Sequence, residues 1–285
     1  MDIEKQYIEN VDKLIPRPDI ALDVLALAQD ASSAIEGIAR KIEQDPNLTA
    51  NMLRMANSAY FGFMREITSV KDMVVRLGYD MVKILAITSA SSGLLSSPQE
   101  AYNLDPKSLW YHSHACALLA SVIAKYANIE NVSPVYTAAL LHDIGKVLLN
   151  KPLQQELLNR RLDKKFATLV ELERCMLQTD HARVGMALLK KWGLPDDIVI
   201  PVGYHHTTGR GEGAQFLNSQ VVYLANYLVE SIGIRAIRQE DYMFKVDDFP
   251  DIYQELPNVP NFHDNMESIM GEFFNQFKEV AGTVD

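Results

Sequence analysis

An adjacent histidine and aspartate, His142 and Asp143, lie within an apolar helical segment at residues 137–149. Ala138, Leu141 and Ile144 recur there at helix spacing, which predicts a buried helical face. A buried aspartate must be paired, hydrogen-bonded or bound to a metal ion, because an isolated charge is costly in an apolar interior. The pair therefore has two interpretations: a core histidine beside an ion-paired aspartate, or part of a functional site.

Composition places the chain among folded soluble proteins. Its 285 residues are 48% hydrophobic and 22% charged, and the sequence lacks the run of about 18 apolar residues that a membrane span needs. Residues 1–10 are acidic and polar, unlike a secretory signal. Cys116 and Cys175 do not make a disulfide framework and are expected to be buried free thiols. We therefore expect a cytoplasmic protein that does not enter a membrane.

The net charge of −10 is concentrated towards the C-terminal end, where residues 241–285 contain ten acidic and two basic residues. Arg160, Arg161, Lys164 and Lys165 are the densest basic cluster, and their spacing is typical of a solvated helix face. Because binding to phosphates needs clustered lysine and arginine, we expect no nucleic-acid partner.

Helical periodicity runs through almost the whole chain and predicts an all-α fold. One helix is predicted over residues 134–149, and another is expected to end near Gly78. Residues 96–98 form a loop that marks the best internal boundary. We therefore predict three parts: an N-terminal helical lobe (1–100), a second helical lobe (101–240) and an acidic C-terminal extension (241–285).

Three aromatic residues, Tyr60, Phe61 and Phe63, follow the predicted end of a helix. Large aromatic side chains in such a position are most often part of a core. The alternative is that they seat one lobe against the other. In either case their expected role is packing.

Seven histidines are present, and five of them lie at the ends of apolar helices: His112, His142, His181, His205 and His206. Imidazole and carboxylate ligands together suit Zn, Fe, Mn and similar divalent ions. Metal sites in helical bundles are built from side chains on facing helices. The five histidines and Asp143 are therefore candidates for one site, although their long spacings also fit scattered histidines. His114 and His263 lack such a context and are expected to be structural.

Four stretches of sequence occur in a characteristic order: IPRPD (15–19), IARKIEQDPNLTANMLRMANSAYFG (38–62), LHDIGK (141–146), and DHARVGMALLKKWGLPDDI (180–198) followed by two histidines. Together they resemble the HDOD family, the HD-related output domains of bacterial signalling proteins within the HD phosphohydrolase superfamily. The resemblance covers residues 13–235. It implies an all-helical fold in which an N-terminal helical bundle packs against an HD-like helical bundle.

The resemblance also implies a set of metal ligands. Active HD enzymes use a histidine, a His-Asp pair and a later aspartate, and the first three match His112, His142 and Asp143. The position nearest to the later aspartate is Asn226, whose neutral amide is a weaker ligand than a carboxylate. Related cyclic-diguanylate phosphodiesterases add histidines that match His181, His205 and His206. The implied cofactor is a divalent metal ion: Fe, Mn, Zn or Mg.

Two functions are compatible with this resemblance. The absent late aspartate, and a TTGRGEG loop in place of the Gly-Tyr-Pro loop of those phosphodiesterases, favour a regulatory module. Its partners would be signalling proteins, and its candidate ligand a nucleotide. The retained ligand set favours the alternative, a metal-dependent phosphohydrolase acting on a phosphodiester such as a cyclic dinucleotide. In such an enzyme Asp143 would hold metal ions and Lys146 would meet a phosphate oxygen, so these two are the candidate catalytic residues.

Overall fold

The computed structural model describes residues 3–9, 18–29, 34–57, 65–160, 166, 168–207, 214–234 and 259–281. Nearly all of these residues are helical, and no β-strand occurs among them. Gln99 and Leu104 form one isolated antiparallel bridge. The all-α fold predicted from the helical periodicity is therefore confirmed. Tyr60, Phe61 and Phe63 lie outside the described residues.

The described helices are α1 (Ile3–Ile8), α2 (Asp19–Gln29), α3 (Ile35–Ile42), α4 (Pro46–Ala56), α5 (Val70–Leu95), α6 (Ser108–Tyr126), α7 (Val132–Leu141), α8 (Ile144–Asn159), α9 (Leu169–Leu177), α10 (His181–Lys191), α11 (Asp196–Tyr204), α12 (Ala214–Ser231) and α13 (Phe262–Ala281). A short 3-10 turn, Glu100–Tyr102, precedes α6. None of these helices is both long enough and apolar enough to cross a lipid bilayer.

The chain divides into two compact units, and each is discontinuous in sequence. The first unit comprises Met1–Pro16 with Leu94–Met266, and the second comprises Arg17–Gly93 with Glu267–Asp285. The grouping differs from the predicted division into three consecutive ranges, because α1, near the start of the chain, belongs to the same unit as residues 94–266. The division into residues 1–100, 101–240 and 241–285 stays a prediction.

The second unit is built around a core of aliphatic and methionine side chains from α2 to α5. Ile38, Ile42, Met52 and Met73 are completely buried there. The α3–α4 connection is specified locally, because the Asp45 side chain accepts hydrogen bonds from two backbone N–H groups of the first turn of α4. Such a cap satisfies donors that a helix start leaves unpaired.

Helix α5 changes direction at Gly78, which has φ +74° and ψ 170°. This is a conformation that only glycine adopts readily, because it has no Cβ. The helix end predicted near Gly78 is therefore an interruption within α5. A second helical stretch continues directly to Leu95.

The first unit carries the predicted functional residues. Its helices α6 and α7 pack against each other, as do α11 and α12, while α10 packs against both α8 and α11. Helix α12 also packs along α6. The ends of α7, α10 and α11 are thereby brought close to the middle of α6, which positions the site described below.

The structure corrects the prediction of one helix over residues 134–149. Helix α7 ends at Leu141 and α8 begins at Ile144, so His142 and Asp143 lie in the turn between them. In a continuous helix, adjacent side chains point roughly 100° apart. The turn instead places His142 Nε2 and Asp143 Oδ2 only 3.4 Å apart. The apolar pattern did not reveal this break because both helices are buried.

The two cysteines are free, but only Cys116 is buried. The prediction of a buried thiol is therefore wrong for Cys175, which is exposed. Helix α9 buries the face that carries Leu172 and Met176. Cys175 lies on the opposite face of this amphipathic helix, so its apolar neighbours in sequence are not its neighbours in space.

Candidate metal centre

Six residues that the sequence analysis singled out come together in the first unit. They are His112 in α6, His142 and Asp143 in the α7–α8 turn, His181 at the start of α10, and His205 and His206 directly after α11. We call this group the histidine cluster. All of its members are buried except His206, which is exposed. The cluster therefore meets solvent on the His206 side.

Close packing of α8 against α10 brings Asp143 towards His181. A Cβ atom on Gly145 would overlap the carbonyl oxygen of His181 and lie 2.9 Å from the backbone nitrogen of Gly185. Glycine at position 145 therefore permits an approach that any other residue would block. The side chain of Asp180 caps α10 by accepting a backbone hydrogen bond of 2.9 Å, which sets where the helix begins.

Three rings of the cluster are held from outside by backbone carbonyl groups. The Nδ1 atoms lie at hydrogen-bonding distance from these carbonyls: His112 from Ile234 at 2.9 Å, His142 from Ala139 at 2.7 Å, and His205 from Val202 at 2.7 Å. A carbonyl oxygen can only accept a hydrogen bond, so each Nδ1 carries the proton. In a neutral ring the Nε2 atom then presents a lone pair.

These Nε2 atoms face one another inside the cluster. His112 and His142 are separated by 3.2 Å, His181 and His205 by 3.3 Å, and His181 and His206 by 2.8 Å. His112 and His142, whose Nδ1 atoms carry the proton, present two Nε2 lone pairs to each other, and these repel unless a proton or a cation lies between them. The arrangement is therefore one that a metal ion would stabilise.

Asp143 lies between the two halves of the cluster. Its Oδ2 atom is 2.7 Å from Lys146 Nζ and 3.7 Å from His112 Nε2. Its Oδ1 atom is 3.2 Å from His181 Nε2 and 3.8 Å from His205 Nε2. Although it is buried, Oδ1 accepts no hydrogen bond from the described residues. One carboxylate thus presents an oxygen to each side, and one of these oxygens lacks a hydrogen-bond donor.

Burial and local charge set the protonation states. Burial, reinforced by His142, lowers the pKa of His112 to about 3. Burial also holds the pKa of His205 well below its usual range. Burial alone would raise the pKa of Asp143, but His142 and Lys146 outweigh it and hold that pKa well below the usual range. The neutral imidazoles of His112 and His205 therefore lie beside an ionised carboxylate, the forms in which both bind metal.

Glu173 and Tyr102 belong to the site but were missed by the sequence analysis. Glu173 Oε1 accepts a 2.7 Å hydrogen bond from the Tyr102 hydroxyl, and Oε2 accepts one of 2.6 Å from His181 Nδ1. Burial lowers the pKa of His181, but the charge and hydrogen bond of Glu173 outweigh it and raise that pKa. The sequence did contain a signal for the role of Glu173. This glutamate lies on the same face of α9 as the apolar residues Leu172 and Met176, where a solvated charge is not expected.

Replacing Glu173 with glutamine is expected to weaken metal binding by roughly 10–100-fold, the usual effect of removing the outer partner of a histidine ligand. In metal-free protein it should also lower the pKa of His181, because the carboxylate that stabilises the imidazolium is gone. NMR titration of the His181 ring and a metal-binding titration measure the two effects. The matched control is Glu171→Gln, an exposed position on the same helix. An unchanged His181 pKa would contradict the assigned role.

Asn226 reaches the histidine cluster through Cys116. Its Oδ1 atom lies 3.9 Å from Cys116 Sγ, which is itself 3.5 Å from His112 Nε2. Asn226 is buried. His114 is outside the cluster, with its ring stacked on Trp110 at 5.3 Å. His263 is in α13, far along the chain from these helices.

The side chains present fit a divalent metal ion. Ligand atoms bonded to one ion at about 2.0–2.2 Å lie roughly 3 Å apart. Two groups have ligand atoms within 4.8 Å of one another: Asp143 with His181, His205 and His206, and His112 with Cys116 and His142. Mixed imidazole and carboxylate donors suit Fe, Mn or Zn. A cation between these residues would accept electron pairs from the Oδ1 of Asp143 and from the facing Nε2 atoms, which otherwise lack a partner or repel each other.

The HDOD domain family model matches residues 14–208 of this chain. An uncharacterised protein of Treponema pallidum (strain Nichols) is 23% identical over 202 residues, which cover 70% of this chain. The same match covers 38% of that relative. The chain thus spans well under half the length of this curated relative.

Solved structures show the same fold. An HDOD domain protein of unknown function from Geobacter sulfurreducens is 25% identical, with a TM-score of 0.74 and coverage of 96% of this chain and 97% of that chain. A protein of Shewanella amazonensis SB2B, provisionally named a phosphohydrolase, is 19% identical with a TM-score of 0.68. The second match covers 96% of this chain and 97% of that chain. Its low identity supports the fold alone.

Proposed function

The chain belongs to the HDOD family, and we propose that it is a signal-transduction module that holds a divalent metal centre in its first unit. The proposed metal ligands are the members of the histidine cluster: His112, His142, Asp143, His181, His205 and His206. The proposed partners are other signalling proteins, and the candidate small ligand is a nucleotide.

The orientation of the buried rings carries this proposal. A histidine that only fills a core needs one partner, and each Nδ1 atom of His112, His142 and His205 has one in a backbone carbonyl. Their opposite edges nevertheless converge on an ionised carboxylate instead of on apolar groups. Outer hydrogen bonds that hold the ligating edge inwards are the usual arrangement around protein metal sites.

A regulatory role is favoured over turnover by the burial of the cluster and by the amide at position 226. A metal ion bound there would connect α6, the α7–α8 turn, α10 and the end of α11. Binding that occurs only in the assembled arrangement stabilises that arrangement by an amount that grows with the logarithm of ligand concentration. Metal availability could thus be converted into a change in the surface that a partner recognises.

A metal-dependent phosphohydrolase is the second candidate, and the exposure of His206 favours it. Solvent reaches the cluster on that side, which is the side from which a phosphodiester would approach. A divalent ion would lower the pKa of a bound water. Asp143 would hold the metal, and the Lys146 ammonium, 2.7 Å from Asp143 Oδ2, would meet a phosphate oxygen. A cyclic dinucleotide is the candidate substrate class.

Elemental analysis of protein purified without added metal tests the metal centre. We expect bound Fe, Mn or Zn in the wild type and a loss of most of it in His142→Ala. Asn226→Asp should raise metal affinity by adding a carboxylate, and His263→Ala, an exposed histidine in α13, is the matched control. Wild-type protein that binds no metal under any loading condition would refute the centre. A hydrolysis screen with phosphodiesters then separates the regulatory module from the enzyme.

A further inference from the structure

Cys116 contributes a sulfur atom to the buried side of the histidine cluster. It follows His112 by four positions in α6, so the two side chains lie on the same face of that helix. Cys116 Sγ is 3.5 Å from His112 Nε2, which is itself 3.2 Å from His142 Nε2. The ligand atoms of these three buried residues all lie within 4.8 Å of one another. They therefore form one compact group of two nitrogen atoms and one sulfur atom.

The separations within this group fit one tetrahedral metal ion. Zn–N bonds of about 2.0–2.1 Å and a Zn–S bond of about 2.3 Å place two nitrogen ligands roughly 3.3–3.4 Å apart, and a nitrogen and a sulfur ligand roughly 3.5–3.6 Å apart. The corresponding distances from His112 Nε2 are 3.2 Å to His142 Nε2 and 3.5 Å to Cys116 Sγ. A cysteine that only fills a core behaves as a small apolar side chain and needs no such neighbours.

A divalent ion on this side of the cluster also needs an anionic ligand. Asp143 Oδ2 lies 3.4 Å from His142 Nε2, but the Lys146 ammonium at 2.7 Å already offsets part of its charge. Asn226, which contacts this side through Cys116, offers only a neutral amide. Cys116 can supply the missing charge, because loss of its proton leaves a thiolate, the form of cysteine that binds metal.

In metal-free protein the thiol of Cys116 is protonated. It donates a hydrogen bond to Asn226 Oδ1 across 3.9 Å, and burial raises its pKa well above the usual range. An entering dication reverses this preference, because a thiol that coordinates a metal loses its proton. The proton passes to solvent, and the electron pair that it leaves on the sulfur binds the metal.

We propose that Cys116 is a thiolate ligand of the metal centre, on the side formed by His112 and His142. This inference rests on the proposed function, because it requires the metal to bind, and it adds a sulfur atom to the proposed ligands. Thiolate ligands favour Zn²⁺ over harder ions such as Mn²⁺ and Mg²⁺. This side of the cluster is therefore a site for Zn²⁺ or for an ion with similar ligand preferences.

Titration of reduced, chelator-treated full-length protein with Co²⁺ tests the role of Cys116. A thiolate bonded to Co²⁺ gives an intense near-ultraviolet charge-transfer band, which nitrogen and oxygen ligands do not give. The chain has two cysteines, so Cys175→Ser is both the matched control and a protein whose single thiol is Cys116. We expect the band in the wild type and in Cys175→Ser, and its loss in Cys116→Ser.

The affinity for Zn²⁺, measured by competition with a chromogenic chelator, should follow the same pattern. In Cys116→Ser the Zn²⁺ dissociation constant should rise by about tenfold or more, since removing even the outer partner of a metal ligand costs about 10–100-fold. Cys175→Ser should bind Zn²⁺ as the wild type does, because Cys175 is exposed on α9 and outside the group. Equal Zn²⁺ affinity in the two variants overturns the inference.

The outcomes separate this inference from the function it rests on. Wild-type protein that binds no divalent metal overturns both. Wild-type protein that binds Co²⁺ without the near-ultraviolet band overturns the thiolate ligand and leaves the metal centre intact, because Asp143, His181, His205 and His206 form a group without sulfur. Should Cys116→Ser fail to fold, Cys175→Ser decides alone: the band supports the inference, and Co²⁺ binding without it overturns the role of Cys116.

Discussion

Replacing Gly145 with alanine is expected to destabilise the first unit by about 3 kcal/mol or more, at or above the upper end of the usual cost of overpacking. The added Cβ would overlap the carbonyl oxygen of His181 and would lie 2.8 Å from its carbonyl carbon. These are backbone atoms, so no side-chain rotation relieves the overlap. Helix α8 must move away from α10, which separates Asp143 from His181. Metal content should therefore fall together with stability.

Two other glycines provide graded controls for Gly145→Ala. A Cβ on Gly185 would lie 3.3 Å from a Val202 methyl group, and one on Gly271 would meet nothing within 4 Å. Gly185→Ala should therefore have a smaller effect. Gly271→Ala, in a helix, should stabilise by about 0.5–1 kcal/mol. Urea unfolding and elemental analysis measure the series, and wild-type stability in Gly145→Ala would contradict the close approach of α8 and α10.

Removing the carboxylate of Asp143 is expected to lower the free energy of unfolding by about 3–5 kcal/mol in chelator-treated protein, the usual cost of breaking a buried ion pair. The Lys146 ammonium is only 2% exposed and lies 2.7 Å from Asp143 Oδ2. In Asp143→Ala this buried charge loses its carboxylate. Bound metal should also disappear, because Asp143 faces both halves of the histidine cluster.

A double mutant separates the charge effect from a general loss of packing. Asp143→Ala with Lys146→Met removes both charges, and we expect it to recover much of the lost stability without recovering metal. The control is Asp72→Ala, whose ion pair with Arg76 is partly exposed and should contribute at most about 0.5 kcal/mol. An Asp143→Ala cost similar to that of Asp72→Ala would show that the buried pair is not important for stability.

Much of the helical architecture could be predicted from the sequence, because its determinants are local. Apolar periodicity marked the helices, and short-range signals marked several of their ends. Asp45 caps α4, Asp180 caps α10, and Gly78 marks the bend of α5. Each of these depends on contacts within a few residues. The break at His142 was missed because both flanking helices are buried, which leaves no change in the apolar pattern.

The residues of the candidate site were identifiable by type and order, but their partners were not. Histidines beside carboxylates in apolar helices are unusual enough to be noticed in a sequence. Glu173 drew no attention, because a glutamate in a helix is most often solvated. Its relation to the cluster depends on how α9 packs, and this involves separations such as the 71 positions between Tyr102 and Glu173.

The sequence by itself thus determined the helical class, the family resemblance and the donor types available for a metal, because these depend on side-chain chemistry and short-range periodicity. Only the tertiary structure decided which ring edges face inwards, since backbone carbonyls of Ile234, Ala139 and Val202 hold the Nδ1 atoms. It also decided how closely α8 and α10 approach at Gly145. The Ile234 contact and the approach at Gly145 join segments that are distant along the chain. The Ala139 and Val202 contacts are short-range, but they form where α7 and α11 end in turns, and the apolar pattern did not mark the end of α7.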